Sequence, residues 1–167
     1  MCFTRYKDDI YDRIWKPFNF PERNKLNTSL PIDADARTYV YQPPHAVMAT
    51  AMTPANGSSD TFAFYLRPDN PTAKYYVHMH FAELEKLDAN QSREFTIFEN
   101  GEHFNGPLSP DYLYTTTISS IEPVSGERID YEINRTETST LPPLLNALEV
   151  YIVQNFSEPE THEQDGK

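Results

Sequence analysis

The chain has 167 residues and a net charge of −11, with one Cys, 14 Pro, 5 Gly, 11 Tyr, 10 Phe and one Trp. This length suits one domain with its own core, and the lone Cys2 excludes both a disulfide-stapled scaffold and a Cys-rich zinc module. The acidic balance argues against nucleic acid or an anionic membrane as partner, and 38% hydrophobic residues are too many for a disordered chain.

Periodicity predicts short β-strands separated by proline-rich turns. In chain order, the predicted strands are residues 38–41, 46–52, 61–66, 75–82, 93–99, 112–118, 128–133 and 147–153. Apolar side chains alternate with others in 75–82, 93–99 and 147–153, where β-branched and aromatic residues are frequent, and both features are typical of strands. The predicted turns are residues 67–73, 99–111, 122–127 and 139–143. One short helical turn is expected after residue 81, from Phe81, Leu84 and Leu87. The sequence therefore predicts an all-β, antiparallel β-sandwich or jelly roll.

Five N-glycosylation sequons argue for an extracellular protein. They begin at Asn27, Asn56, Asn90, Asn134 and Asn155, whereas chance predicts about 1.6 for this composition. Residues 1–10 lack the apolar run of a secretory signal, and no stretch is long enough for a membrane helix. Either the sequons are chance products of a Ser/Thr-rich chain, or a signal peptide lies outside this sequence. We favour the second interpretation.

The sharpest pattern that suggests chemistry is His78-x-His80 followed by Glu85. Two His at i and i+2 of a strand share one face, so both rings could reach one metal ion, as in cupin barrels. A cupin needs a further His on a later strand, but the corresponding position is Tyr112. The metal set is incomplete, and ordinary strand histidines are the simpler interpretation. No catalytic residue, metal or cofactor is predicted, because no nucleophile elbow, phosphate loop or dinucleotide motif is present.

The excess of tyrosine and phenylalanine is a second feature. A Tyr ring offers an apolar face and a polar hydroxyl, which suits sugar rings and protein interfaces equally. The ligand-binding candidates on loops or strand edges are Tyr39, Tyr41, Tyr65, Phe104, Tyr112 and Tyr114. Packing in a β-rich core is the alternative for each of them.

Three segments resemble the malectin-like ectodomain of plant leucine-rich-repeat receptor kinases. They are residues 75–85 (YYVHMHFAELE), 93–101 (REFTIFENG) and 139–153 (STLPPLLNALEVYIV). Residues 8–15 (DDIYDRIW) are similar to the segment that joins the two lobes of the tandem domain, and residues 43–51 to the strand that follows in the second lobe. Residues 155–163 are similar to the linker toward the leucine-rich repeats.

The resemblance implies the second lobe of a malectin-type, galactose-binding-like β-sandwich, a carbohydrate-binding-like module outside the plasma membrane. It also implies the boundaries: residues 1–18 as a remnant of the inter-lobe linker, 19–155 as the lobe, and 156–167 as a polar tail. The first lobe, the repeats, a membrane helix and the kinase are expected in a full-length parent. The family therefore implies a recognition module and not an enzyme.

Three functions stay open from the sequence. The first is binding of a cell-wall or glycoprotein saccharide by loop aromatics. The second is a surface for a secreted peptide or co-receptor, where a cationic peptide would suit the charge of −11. The third and most remote is a cupin-like metal enzyme centred on His78, His80 and Glu85.

Overall fold

A computed structural model describes residues 3–18, 23–34, 42–55 and 60–154. In these residues the strands are β1 (Thr4–Arg5), β2 (Ile14–Trp15), β3 (Arg23–Asn27), β4 (Asp33–Ala34), β5 (Thr50–Pro54), β6 (Thr61–Leu66), β7 (Tyr75–Phe81), β8 (Phe95–Glu99), β9 (Glu102–Leu108), β10 (Tyr114–Ser119), β11 (Ile129–Arg135) and β12 (Ala147–Ile152). The helix within the described ranges is α1 (His45–Met48). It is far too short to span a membrane, and no other helix there qualifies.

Two four-stranded sheets form the body of the molecule. Their strand orders are β12-β7-β10-β4 and β6-β11-β8-β9, with two smaller pairs, β1-β2 and β3-β5, beside them. The pairings are antiparallel except for β10 with β4, which is parallel. This architecture confirms the predicted antiparallel β-sandwich.

The core lies between the two sheets because each contributes alternate apolar side chains to it. In β11 the buried residues are Ile129, Tyr131 and Ile133, and the residues between them are more exposed. The rings of Phe81 from one sheet and Phe95 from the other have centroids 5.2 Å apart. A buried aromatic or aliphatic side chain contributes about 1.5–3 kcal/mol through removal from water, so this alternation determines which face of each strand points inward.

The strands predicted within residues 61–66, 75–82, 93–99, 112–118, 128–133 and 147–153 are confirmed as β6, β7, β8, β10, β11 and β12, with small shifts at their ends. The strand predicted at residues 38–41 lies outside the described residues. Strands β6, β8 and β11 bury alternate side chains, which explains their period of two in the sequence, whereas β7 is buried on both faces from Val77 to Phe81.

Two local predictions were wrong. Residues 46–52 do not form one strand, because α1 occupies His45–Met48 and β5 begins at Thr50. Pro44 is the N-cap of the helix, and its carbonyl accepts bonds from the Val47 and Met48 amides at 3.0 and 3.2 Å. The helical turn expected after Phe81 is absent from this described segment. Glu83 instead bridges Tyr112 in parallel, and its carbonyl accepts a 2.8 Å bond from the Leu113 amide, which keeps the chain extended.

Strand β9 was not predicted, because it lies within the turn-rich stretch 99–111. It is the edge strand of its sheet, where a proline such as Pro107 is tolerated. Its register against β8 shifts twice between Phe95 and Phe98. Gly106 allows this irregular approach: its φ is +115°, and a Cβ there would lie 2.9 Å from the Phe95 carbonyl oxygen and from the Thr96 Cα.

We therefore expect Gly106→Ala to lower the free energy of unfolding by about 2 kcal/mol, through backbone strain and a collision with β8. The matched control is Gly101→Ala. Gly101 has φ +84°, but no atom lies within 4 Å of the position of its Cβ, so only the conformational strain of about 1 kcal/mol remains. Urea unfolding of both variants measures the difference. Equal losses would contradict the close approach of β9 to β8.

Candidate functional site

A groove of about 820 Å³ opens beside the two edge strands β6 and β12. Its lining comes from the hairpin β1-β2 and the residues after it, from the pair β3-β5, from β6, and from β12 with the segment before it. These segments are far apart in sequence and meet only in the fold. Concave apolar surfaces of this size are the usual ligand sites of proteins.

Several exposed apolar side chains line this groove. Ile14, Phe18, Tyr65 and Val150 line it and are each exposed by at least two fifths. Deeper in the groove are aromatic residues of the core, including Phe62. An apolar surface of this kind is rarely left open in a soluble domain without a partner.

The groove also has a charge opposite to that of the chain. Among the residues that the structure describes, its charged lining consists of four cations and one anion: Arg13, Lys16, Lys25, Arg67 and Glu149. Arg13 and Glu149 pair with each other, whereas no ion pair joins Lys16 or Lys25 to another described residue. A local positive surface is thus present in a protein of net charge −11.

Arg13 fastens the N-terminal hairpin to β12. Its Nη1 donates a 2.7 Å bond to Glu149 Oε1, and its Nε donates to both Asp9 carboxylate oxygens at 3.0 Å. Trp15 Nε1 donates to Asp9 Oδ2 at 2.7 Å, and Arg13 Nη2 donates to the Gln42 carbonyl. This part of the segment predicted as an inter-lobe linker is therefore bonded to the sandwich and forms one wall of the groove. The boundary predicted at residue 18 stays a prediction.

Glu149 continues the network into the sandwich. His80 Nε2 donates to Glu149 Oε1 at 2.9 Å, and the Tyr151 hydroxyl donates to Oε2. Burial raises the pKa of the Glu149 carboxyl, but the bonds from His80 and Tyr151 and the charge of Arg13 outweigh burial, so the pKa lies below its ordinary value. Burial, followed by the bond to Glu149, raises the pKa of Tyr151 to about 12. Glu149 is therefore held as a carboxylate.

The two histidines predicted to share one face of a strand do so. His80 Nδ1 lies 2.8 Å from Thr117 Oγ1, and His78 Nδ1 lies 2.6 Å from Ser119 Oγ. Burial lowers the pKa of His78. Glu85 is not part of this cluster, since its carboxylate accepts a 3.0 Å bond from Arg93. Within the described ranges no three His, Cys, Asp or Glu residues are placed to hold a metal ion, so the cupin-like set is not assembled.

The six aromatic candidates do not converge on one site. Tyr65 alone of those described lines the groove, and the guanidinium carbons of Arg67 and Arg128 lie 5.1 and 4.3 Å from its ring centroid. Phe104 packs edge-on against Tyr131, with centroids 6.1 Å apart. Tyr112 is exposed and Tyr114 half-buried, near the start of β10. Tyr39 and Tyr41 lie outside the described residues.

The sequon asparagines differ in their surroundings. Asn27 at the end of β3 and Asn90 in a turn are exposed. Asn134 lies in β11, which pairs with β6 on one side and β8 on the other, and its Oδ1 is buried without a hydrogen-bond partner. Asn56 and Asn155 lie outside the described residues. Asn134 therefore does not occupy the surface loop expected of an acceptor site.

Sequence reasoning missed the residues that build the groove. Arg13, Trp15 and Glu149 were overlooked because their partners are distant in sequence. The only signal for them was the DDIYDRIW motif, with the single Trp of the chain beside acidic and basic residues. Hydrophobic periodicity predicts a strand but does not show whether the strand lies at the edge of a sheet, so the groove beside β6 and β12 has no signature in the sequence.

Comparison with known proteins identifies the family. The model of the malectin-like domain matches residues 2–153. The chain belongs to the malectin-like family. A leucine-rich repeat receptor-like protein kinase of Arabidopsis thaliana is 44% identical over 163 residues, which are 97% of this chain and 18% of the kinase. The chain thus spans less than a fifth of that relative, and the part it matches is a malectin-like domain and not a catalytic domain.

Solved structures of low sequence identity share the malectin-like fold. The extracellular domain of ANXUR2 from Arabidopsis thaliana has a TM-score of 0.68 at 19% identity, covering 89% of this chain and 45% of that one. A structure of the plant peptide RALF23 in complex with FER and LLG2 has a TM-score of 0.58 at 17% identity, covering 87% and 44%. At these identities the likeness establishes the fold alone.

Proposed function

We propose that this malectin-like domain is a non-catalytic recognition module on the extracellular face of the plasma membrane, within a leucine-rich-repeat receptor kinase. Its ligand is a segment of a secreted peptide or co-receptor, which binds in the groove beside β6 and β12. The observation that supports this best is the gathering of the exposed Ile14, Phe18, Tyr65 and Val150 in one concave surface. In a full-length parent, a first malectin lobe and the repeats would be its neighbours.

Two further observations favour a protein ligand. FER, which shares this fold, has been solved in a complex with the peptide RALF23 and with LLG2, so assembly of such an ectodomain with a peptide and a second protein has a precedent. The groove also joins an apolar floor to a charged rim, which is the composition of protein interfaces.

The saccharide version of the function has less support. Stacking of sugar rings needs aromatic faces that are open and close together, and the described candidates are dispersed over β6, β9 and β10. Of the described candidates Tyr65 alone lines the groove, and the guanidinium groups of Arg67 and Arg128 lie against its ring, so a single aromatic face is available there. Saccharide binding therefore enters as a competing outcome of the experiment below.

The experiment selects peptides from a displayed random library on the purified chain and measures their affinities by calorimetry. The test variant is Ile14→Asn, in the groove, and the matched control is Ile121→Asn, outside it. Both side chains are exposed, by 55% and 94%, so neither substitution disturbs the core. We expect Ile14→Asn to weaken binding about tenfold and Ile121→Asn to leave it within about twofold, because only Ile14 is covered by the ligand.

Two results would overturn the proposal. Equal affinities for the two variants would place the binding site outside the groove. Saturable binding on a glycan array, together with no enriched peptide, would replace the protein ligand by a saccharide.

A further inference from the structure

The free edge of β12 gives the groove a hydrogen-bonding wall. We propose that the ligand binds as an added β-strand along this edge, and that it is an extended peptide with acidic and apolar side chains. The inference rests on the proposed function and specifies its binding mode and ligand class.

The first step concerns which part of β12 faces the groove. The residues that line it run without interruption from Leu145 to Tyr151. Successive side chains of a strand point to opposite faces, so a groove on one face would be lined by every second residue. An uninterrupted run means that the groove lies along the edge of the strand. The same holds for β6, where residues 64–67 line the groove consecutively.

The second step identifies the backbone groups that point into the groove. Val153 N donates a 2.7 Å bond to Lys74 O, and this pair continues the register that places Ile152 opposite Tyr75. In an antiparallel ladder, hydrogen-bonded and non-hydrogen-bonded pairs alternate. Ala147, Glu149 and Tyr151 therefore bond to β7. The amides and carbonyls of Leu148, Val150 and Ile152 point away from it.

The far side of β7 confirms this assignment independently. Tyr75 N and O bond to Val124 at 2.8 and 2.9 Å, and Val77 O accepts a 2.9 Å bond from Ser120 N. Tyr75 and Val77 stand opposite Ile152 and Val150, so their backbone groups are already used on the side away from β12. In the described ranges β7 is the one strand that pairs with β12 itself, but β5 bonds to the segment just before β12, because Met52 and Leu145 exchange two 2.9 Å bonds. The free row of backbone groups therefore begins at Leu148. A row of unpaired groups of this kind is a template for strand addition.

The third step concerns the charge of the ligand. Lys16, Lys25 and Arg67 line the groove, and Glu149, the one acidic residue among its described lining residues, is already paired with Arg13 and His80. An extended segment with carboxylates among apolar residues complements both the cations and the exposed Ile14, Phe18 and Val150. A second copy of this chain fits less well, because two molecules of charge −11 repel each other.

The test compares Val150→Pro with Val150→Ala. Proline removes the outward N–H of residue 150 but none of the bonds to β7, and proline is tolerated on edge strands for this reason. Alanine also removes the Val150 side chain but keeps the N–H. The probe is a capped, fluorescent nonapeptide of alternating Val and Glu, and its counterpart replaces Glu by Lys. We expect the affinity of Val150→Ala for the Val/Glu peptide to be within about threefold of that of the wild type. We expect the affinity of Val150→Pro to be about thirtyfold lower, because the loss of one backbone hydrogen bond also weakens the adjacent ones.

A second measurement serves if Val150→Pro fails to fold by circular dichroism. Two Val/Glu peptides are N-methylated at alternate amides, one set on the odd and one on the even residues. An added strand bonds to β12 with only one of these sets, so we expect one peptide to lose binding and the other to keep it.

The outcomes distinguish this inference from the proposed function. Equal binding by Val150→Pro and Val150→Ala, or by both methylated peptides, overturns strand addition, and the proposed function stands if Ile14→Asn still weakens the selected peptides. Binding of the Val/Lys peptide with equal or higher affinity than the Val/Glu peptide overturns the claim that the ligand is acidic. Absence of binding of the Val/Glu peptide up to about millimolar concentration overturns the inference. A wild-type dimer that Val150→Pro dissociates also overturns it, because the edge of β12 would then pair with a second copy of the chain.

Discussion

Replacing Arg93 by alanine is expected to lower the free energy of unfolding by about 4 kcal/mol. The Arg93 side chain is 2% exposed, and its Nε donates a 2.6 Å bond to Glu83 Oε2, which is equally buried. Arg93 also donates to the Pro142 carbonyl and to Glu85, and so ties the start of β8 to the segment before β12. Its removal leaves the Glu83 carboxylate buried without a counter-charge, which is why the loss is large.

The control for this prediction is Arg128→Ala. Arg128 pairs with Asp130 at 2.5 Å, but both side chains are more than 40% exposed and the pair is screened by solvent, so its loss should lower stability far less than the loss of Arg93. Urea unfolding of both variants at neutral pH gives the comparison. A loss at Arg93 no larger than that at Arg128 would show that the buried pair does not hold these segments together.

Replacing Glu149 by glutamine is expected to lower the free energy of unfolding by about 3 kcal/mol at pH 7, because Arg13 then loses its anion on β12. The effect should depend on pH. The folded-state pKa of Glu149 lies below its ordinary value, so its contribution is complete above the unfolded value near 4.5 and disappears as pH falls through the folded pKa. The difference between wild type and variant should therefore shrink in acid.

His78 adds an earlier acid-sensitive step to the wild type. Burial lowers its pKa from the ordinary 6.5, so folding favours the neutral ring, and stability begins to fall as pH drops below that value. We expect Glu149→Gln to keep this first decline and to lose most of the second. The control Glu122→Gln lies at an exposed position and should change stability by less than about 0.5 kcal/mol. A difference between wild type and Glu149→Gln that is constant from pH 7 to pH 3 would contradict the carboxylate network.

The sequence predicts the sandwich because burial of one face leaves a period of two, as in β11 with Ile129, Tyr131 and Ile133. It fails where one composition is compatible with two structures: the apolar run after Pro44 suits a helix as well as a strand. It also fails at β9, where Gly106 and Pro107 indicate a turn but occupy an irregular edge. In each failure a contact with a distant strand decides the local structure.

The candidate site was less accessible to sequence reasoning than the fold. Exposed aromatics can be proposed one at a time, but whether they meet depends on the tertiary arrangement, and Tyr65, Phe104 and Tyr112 do not meet. Glu149 was one of 25 acidic residues until the structure placed Arg13 and His80 against it. The net charge of −11 led to the prediction of a cationic ligand, whereas the described lining of the groove is itself mostly cationic.

This uneven distribution of charge has a kinetic consequence for an acidic ligand. At a distance the ligand experiences the repulsion of the whole molecule, and within the groove it experiences the attraction of Lys16, Lys25 and Arg67. Because the screening length is about 10 Å at 0.1 M ionic strength, added salt weakens the distant repulsion before it weakens the close contacts. The association rate should therefore rise with salt at first and fall only at higher concentrations, so the groove would capture its ligand most quickly at an intermediate ionic strength.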